Sequence, residues 1–94
     1  MHVIIVYDMD TTDPNEGQKR LTRIKKICRK YLTHVQKSVF EGNLSGGKLA
    51  RLEKEIIQVI NRSSDSVIIY IIPDGVKIER KFLTNLNDPL SNIL

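Results

Sequence analysis

The chain has 94 residues, of which 40% are hydrophobic and 28% charged, and its formal net charge is +4 at pH 7. This composition is typical of one small globular domain, and no apolar run reaches the roughly 20 residues needed to span a bilayer. We expect no signal peptide, because no basic segment precedes the first apolar run. The single cysteine, Cys28, excludes an intrachain disulfide, and these features together predict a cytoplasmic protein without membrane contact.

Basic residues are concentrated in one part of the chain. Eight of the fifteen lysines and arginines lie between residues 17 and 40, a range that contains no Asp or Glu. Such a local excess of positive charge predicts a phosphate-bearing or otherwise anionic partner.

The first predicted element is a strand over residues 3–7, an apolar and mostly β-branched run that is typical of a central strand. Asp8 follows at its C-terminal tip. A carboxylate at such a position is costly unless it pairs, meets water or binds a cation. The predicted function of the chain therefore depends on which of these Asp8 does.

The second predicted element is an amphipathic helix. Asp13 suits its N-cap, Pro14 its first position and Glu16 the reciprocal position of a capping box. Residues recurring at helical spacing form an apolar stripe and a separate basic stripe. The apolar stripe comprises Leu21, Ile24, Ile27, Cys28 and Tyr31, and the basic stripe comprises Lys19, Arg23, Lys26 and Lys30.

Residues 33–44 lack a helical period and favour extended structure. Two arrangements fit: two short strands with a tight turn near Lys37, or one strand with a bulge at the step from Val39 to Phe40. Phe40 is predicted to lie in the core or an interface rather than to stack on nucleic-acid bases.

A second helix is predicted after Ser45, which suits its N-cap. Within this helix Arg51 and Glu55 are spaced to pair across one turn.

The last third of the chain begins with a second apolar run over residues 67–72, which predicts another central strand. The sequence Pro73-Asp74-Gly75 predicts a turn, and the alternation over residues 76–82 predicts a half-exposed strand. The tail over residues 83–94 is predicted either to bind a partner or to pack on its own dimer. Its apolar residues are Leu86, Leu90, Ile93 and Leu94.

This order of elements predicts an α+β fold, a ferredoxin-like βαββαβ sandwich with an extra C-terminal strand. We take residues 1–82 as the domain and residues 83–94 as a tail. The helices cover one face of the sheet, whereas both long apolar strands suggest that the other face is covered too. A second copy of the chain is the simplest cover, so we expect a homodimer.

Three local patterns resemble the CRISPR-associated Cas2 family, whose members are small subunits of the spacer-acquisition machinery. They are the strand ending in Tyr7-Asp8, the helix containing Lys19-Arg20-Leu21, and the string V-Q-K-S-V-F-E-G from Val35 to Gly42. The string is the most specific of the three.

The resemblance implies a homodimer in which the strand at 76–82 is exchanged and the two Asp8 residues face each other across the interface.

This chain has Thr33-His34 where many members place Arg before the V-Q pair, and a neutral imidazole contacts phosphate less strongly than Arg does. The match carries over the following positions: Tyr7, Asp8, Arg20, Ser38 and Phe40.

The function implied by the resemblance is that of a CRISPR adaptation subunit that binds duplex DNA and bridges dimers of the CRISPR integrase. It also implies Mg²⁺-dependent endonuclease activity on single-stranded RNA or double-stranded DNA. Asp8 is then the predicted catalytic residue and, with its symmetry mate, the Mg²⁺ ligand. Tyr7, Ser38 and Phe40 are predicted to support the site. Nucleic-acid contacts are predicted for Lys19, Arg20, Arg23, Lys26 and Lys30.

Two other functions fit the same sequence. One is a toxin-like ribonuclease resembling the virulence-associated VapD proteins, which share this fold and a similar Asp. The other is a non-catalytic ferredoxin-like regulatory module that binds a small ligand and does not depend on Asp8. The few aromatic residues favour duplex backbone binding over stacking on single-stranded bases.

Overall fold

The computed structural model describes residues 1–85 and Pro89, and its four strands form one antiparallel sheet in the order β2-β3-β1-β4. The two helices pack together and cover one face of this sheet. The predicted α+β, ferredoxin-like βαββαβ fold is confirmed. In chain order the elements are β1 (His2–Asp8), α1 (Pro14–Tyr31), β2 (Thr33–Gln36), β3 (Val39–Asn43), α2 (Gly46–Val59) and β4 (Ser66–Ile72).

Strand β1 lies inside the sheet, between β3 and β4, and its side chains alternate between the two faces. Val3, Ile5 and Tyr7 are buried in the core under the helices. The intervening residues lie on the opposite side, which we call the open face. From the strand registers, the open face carries His2, Ile4, Val6 and Asp8 of β1, Val39, Glu41 and Asn43 of β3, and Ser66, Ile68, Tyr70 and Ile72 of β4.

Both helices begin where the capping signals predict. The Asp13 carboxylate accepts hydrogen bonds from the backbone N–H groups of Asn15 (3.1 Å) and Glu16 (3.3 Å). At the second helix the Ser45 hydroxyl accepts from the Lys48 N–H at 3.2 Å. These bonds satisfy donors that have no partner inside the first turn of a helix.

The segment after α1 forms two short strands, so the first of the two predicted arrangements is confirmed. The turn lies at Lys37 and Ser38, and a register shift falls between His34 and Gln36 in β2.

The core is organised around Phe40, whose side chain is fully buried, as predicted. Its ring stacks between those of His34 and Tyr7, with centroid separations of 4.4 and 6.3 Å. Cys28 is also fully buried, and its burial raises the pKa of the thiol to about 12, so it is an unreactive core residue.

Strand β4 departs from the prediction, because it lies at an edge of the sheet rather than at its centre. Among the described residues no strand pairs with its outer edge, and most of its open-face residues are exposed. Ile68 and Tyr70 are 47% and 53% exposed.

The predicted turn at Pro73-Asp74-Gly75 is confirmed, with the Val76 N–H donating to the Pro73 carbonyl at 3.4 Å. Gly75 has a φ of +85°, which glycine adopts without a steric penalty. The predicted strand over residues 76–82 does not form in the protomer, because this segment passes over the open face, where Arg80 contacts Glu41, instead of joining a sheet edge.

A third correction concerns Glu55, which was predicted to pair with Arg51. It instead forms an ion pair with Lys30 and accepts a hydrogen bond from the Tyr31 hydroxyl, so it connects α2 to α1.

The apolar tail residues Leu86, Leu90, Ile93 and Leu94 lie outside the described part of the chain. Across that part, neither helix is both long and apolar enough to cross a membrane.

We predict that Phe40→Ala lowers the free energy of unfolding by about 3–5 kcal/mol, because it removes a buried ring and leaves a cavity. Urea denaturation measures this loss, and Phe40→Leu, which fills more of the space, should lose less. A small effect of both substitutions would contradict the core role of this ring.

Candidate functional site

Asp8 ends β1 on the open face, opposite Ser66 of β4, and its side chain is exposed to solvent. It borders an open depression of about 480 Å³ between the β1–α1 loop and the loop before β4. Among the described residues, no hydrogen bond or ion pair holds the Asp8 carboxylate. The residues that line the depression include Thr11, Thr12, Ser64 and Ser66.

Asp10, two residues further on, is committed to its own loop. Its Oδ1 accepts hydrogen bonds from the N–H of Thr12 at 2.9 Å and from the Thr12 hydroxyl at 2.7 Å. These two bonds hold the pKa of Asp10 below its usual value. Asp10 therefore shapes the loop beside Asp8.

Arg20 holds this loop from the other side through an ion pair with Asp65. Its Nε donates to Asp65 Oδ2 at 2.8 Å, and a terminal nitrogen donates to the Asp10 carbonyl at 2.9 Å. The Asp65 side chain is fully buried and also accepts from the N–H groups of Asp10 and Asn61, both at 2.8 Å. We call this set of contacts the Arg20–Asp65 clamp.

The buried Asp65 carboxylate is stabilised in its charged form. Burial works to raise its pKa, but hydrogen bonds from the Asn61 amide, Arg20 and the Asp10 amide outweigh that effect. The pKa of Asp65 is therefore lowered from its usual value.

The sequence prediction missed Asp65, and it assigned Arg20 to phosphate. The two residues are 45 positions apart, so neither helical spacing nor a cap could indicate that they meet. A phosphate contact by Arg20 stays a prediction, and its guanidinium would have to share or leave Asp65 to make one.

The Tyr7 side chain lies on the helix side of the sheet, away from Asp8, and its backbone contacts Ser38. The Tyr7 hydroxyl donates to the Lys37 carbonyl at 3.1 Å, and the Tyr7 N–H donates to the Ser38 carbonyl at 3.1 Å. These bonds anchor the β2–β3 turn to β1. Burial raises the pKa of Tyr7. A supporting role of Tyr7, Ser38 and Phe40 in chemistry stays a prediction, while their structural role is clear.

The predicted nucleic-acid residues on α1 differ in what they contact. Lys19, Arg23 and Lys26 are exposed, with only a 3.6 Å approach between Lys19 and Glu16. Lys30 is exposed but paired with Glu55. The uncommitted part of the basic stripe is therefore its first three residues.

Glu41 is a second acidic residue that the sequence prediction did not single out. It is 5% exposed on the open face, where it forms an ion pair with Arg80 and lies 3.4 Å from His2 Nε2. Burial, Arg80 and the N-terminal amino group lower the pKa of His2.

Among the described residues, two carboxylates line this depression, those of Asp8 and Asp10, and Asp10 is already hydrogen-bonded to Thr12. Within residues 1–85 and 89, no group of three His, Cys, Asp or Glu side chains is placed to hold one. Mg²⁺ is commonly held by one or two carboxylates and several waters. An exposed Asp8 fits one half of such a site.

Comparisons with known proteins place these features in a family. The sequence model of the family described as CRISPR associated protein Cas2 matches residues 1–79. A CRISPR-associated endoribonuclease Cas2 of Moorella thermoacetica is 50% identical over 98% of this chain and 100% of that protein. One of Methanocaldococcus jannaschii is 36% identical over 100% of this chain and 76% of that protein. The crystal structure of Streptococcus pyogenes Cas2 superposes with a TM-score of 0.70 and 28% identity, covering 85% of this chain and 100% of the other.

We predict that Asp65 stabilises the fold at neutral pH and loses this effect in acid. The pKa of Asp65 in the folded state lies below the usual 3.8. Its contribution to the free energy of unfolding is therefore complete above pH 3.8 and disappears as the pH falls through the pKa of the folded state. Asp65→Asn should cost about 2 kcal/mol near neutral pH, and the difference from wild type should shrink in acid. Urea denaturation at a series of pH values tests this, and a difference that does not change with pH would contradict it.

Proposed function

Because this chain belongs to the CRISPR-associated Cas2 family, we propose that it is a CRISPR adaptation subunit that acts as a homodimer. In this role it binds duplex DNA and bridges dimers of the CRISPR integrase. We further propose that Asp8 and its symmetry mate form a Mg²⁺-dependent endonuclease site. The endoribonuclease names of its relatives favour RNA as the substrate for cleavage.

The observation that carries the proposal is the position of Asp8. It is an exposed carboxylate at the tip of an inner strand, and it lies on the face of the sheet that the helices leave open. A two-fold axis beside this tip would bring two such carboxylates together. The pair would then provide the donor set that one protomer lacks.

The open face supports the proposed dimer. It exposes Ile68 and Tyr70 of β4, opposite Val6 and Ile4 of β1, and among the described residues the outer edge of this mostly apolar seven-residue strand is unpaired. A protein surface of this kind is usually covered by a partner. The segment at 76–82 also exposes apolar side chains, Val76, Ile78 and Phe82, which fits its exchange onto the partner's sheet.

The chemistry proposed for the dimer is phosphodiester hydrolysis. When bound, Mg²⁺ would neutralise charge on the phosphate and lower the pKa of an attacking water. The two Asp8 carboxylates would hold the ion and orient the scissile phosphate beside it. His34 is less available for phosphate than an exposed residue would be, because its ring stacks on Phe40 and its Nε2 lies 3.2 Å from the Lys37 carbonyl.

The basic stripe is proposed to bind the backbone of the nucleic acid. Lys19, Arg23 and Lys26 are exposed along α1. Phosphate contacts of this type provide affinity without sequence specificity, which suits a subunit that handles DNA of varied sequence.

We predict that Asp8→Asn lowers Mg²⁺-dependent cleavage of labelled single-stranded RNA and duplex DNA by about 100-fold or more. Losing a residue that only supports a metal ligand already costs about 10- to 100-fold, and Asp8 is proposed as the ligand itself. Asp13→Asn is a matched control, because it makes the same chemical change at an exposed site and asparagine still caps the helix. Equal cleavage by wild type and the Asp8 variant would contradict the nuclease proposal. Spacer acquisition and co-purification with the integrase, measured on the same variant, test the bridging role separately.

We predict that replacing Lys19, Arg23 and Lys26 with Ala weakens duplex DNA binding and makes its salt dependence shallower. The log–log slope should change by up to about 2.7 for the three charges of one protomer. The control replaces three exposed basic residues of α2, Lys48, Arg51 and Lys54, which changes the net charge by the same amount. Equal effects of the two triple variants would show that net charge, and not the stripe, controls binding.

A further inference from the structure

The Arg20–Asp65 clamp connects three parts of the chain that meet beside Asp8. Arg20 comes from α1, Asp65 from the loop before β4, and Asp10 from the loop that follows β1. Asp65 accepts hydrogen bonds from Arg20, from the backbone N–H of Asp10 and from the backbone N–H of Asn61 at the end of α2. Its fully buried side chain leaves no oxygen available to solvent.

The clamp fixes the backbone of Asp10 from both sides. The Asp10 N–H donates to Asp65 at 2.8 Å, and the Asp10 carbonyl accepts from Arg20 at 2.9 Å. Both polar groups of this peptide segment are therefore held by a single ion pair. The ion pair therefore fixes the path of the chain two residues after the end of β1.

An independent observation shows how closely α1 packs against the same loop. A Cβ atom placed on Gly17 would lie 2.5 Å from the Asp10 carbonyl oxygen and 2.7 Å from the Thr11 Cα. Both distances are shorter than any ordinary contact, so the backbones can approach this closely only because residue 17 is glycine. Gly17 and Arg20 lie one turn apart on α1, and both contact the loop that follows β1.

Asp8 itself has no such support. Its carboxylate is exposed, and within residues 1–85 no side-chain contact orients it. Its position therefore depends on the backbone, which is held by β-pairing with Ser66 on one side and by the clamp at Asp10 on the other.

We propose that Asp65 is a positioning residue for the metal site, acting through Arg20 and the Asp10 backbone to hold the Asp8 carboxylate where a Mg²⁺ ion binds. This inference rests on the proposed function in one respect, since it takes Asp8 to be a metal ligand. It does not require that the bound ion supports cleavage. Outer partners that fix a metal ligand typically contribute 10- to 100-fold to metal affinity, which is roughly the size of effect expected here.

The test compares Mg²⁺ binding by wild type and Asp65→Asn, measured by calorimetry on the full chain without nucleic acid. The variant keeps the shape of the side chain but loses the ion pair with Arg20 and one acceptor oxygen. We expect its dissociation constant for Mg²⁺ to rise about tenfold or more. Hydrogen exchange of the amides of residues 9–12 should also become faster in the variant.

A matched control separates positioning from stability. Val3→Ala removes buried methyl groups from the same strand, five residues from Asp8 and so roughly 16 Å away along β1. It should lower the melting temperature and leave the dissociation constant for Mg²⁺ and the exchange of residues 9–12 unchanged. If Asp65→Asn does not fold, Arg20→Lys is the second variant, because lysine keeps the charge but cannot bond Asp65 and the Asp10 carbonyl together.

Three results would overturn the proposal. They are an unchanged dissociation constant in Asp65→Asn, an equal loss of Mg²⁺ affinity in Val3→Ala, and a wild type that binds no Mg²⁺. A wild type that binds Mg²⁺ but cleaves no nucleic acid would contradict only the nuclease. In that case the comparison of Mg²⁺ affinities still decides the role of Asp65.

Discussion

The hydrogen-bonded pairing of β1 with two antiparallel neighbours determines which side of the sheet each of its residues faces. Val3, Ile5 and Tyr7 contribute to the core under the helices, and the same alternation carries Asp8 to the uncovered side. A shift of one residue in this register would bury the carboxylate and expose the tyrosine. The core and the candidate site are therefore specified by one set of backbone hydrogen bonds, and neither can move without the other.

The charges of the molecule are divided between those used inside the fold and those left for solvent or a partner. Arg20, Lys30 and Arg80 each pair with a carboxylate on another part of the chain. The most buried of them, Arg20 with Asp65, costs desolvation, so its net benefit to stability is often small, but removing one partner of such a pair is strongly destabilising. Such pairs act chiefly by specifying which segments meet. The positive surface that remains on α1 is therefore smaller than a count of basic residues suggests.

Features encoded by neighbouring residues could be predicted from the sequence. The caps at Asp13 and Ser45, the strand ending at Asp8 and the burial of Phe40 all depend on local spacing and composition. Contacts between distant segments could not be predicted in this way, and the ion pair between Arg20 and Asp65 is the clearest example. The edge position of β4 was missed for a related reason, because the apolar composition of a strand does not show whether a second strand lies along each of its edges.

The strand that is synthesised first is also the one that must wait longest for its neighbours. Residue 2 pairs with residue 72, so the sheet cannot close until nearly all of the domain has left the ribosome. Pairing over such sequence distances slows folding and prolongs the exposure of apolar side chains, whereas the two helices can form early from local contacts. The pairing of β4 with β1 is therefore the least local contact of the sheet. Until β4 pairs with it, β1 presents an unpaired apolar edge to other proteins in a crowded cell.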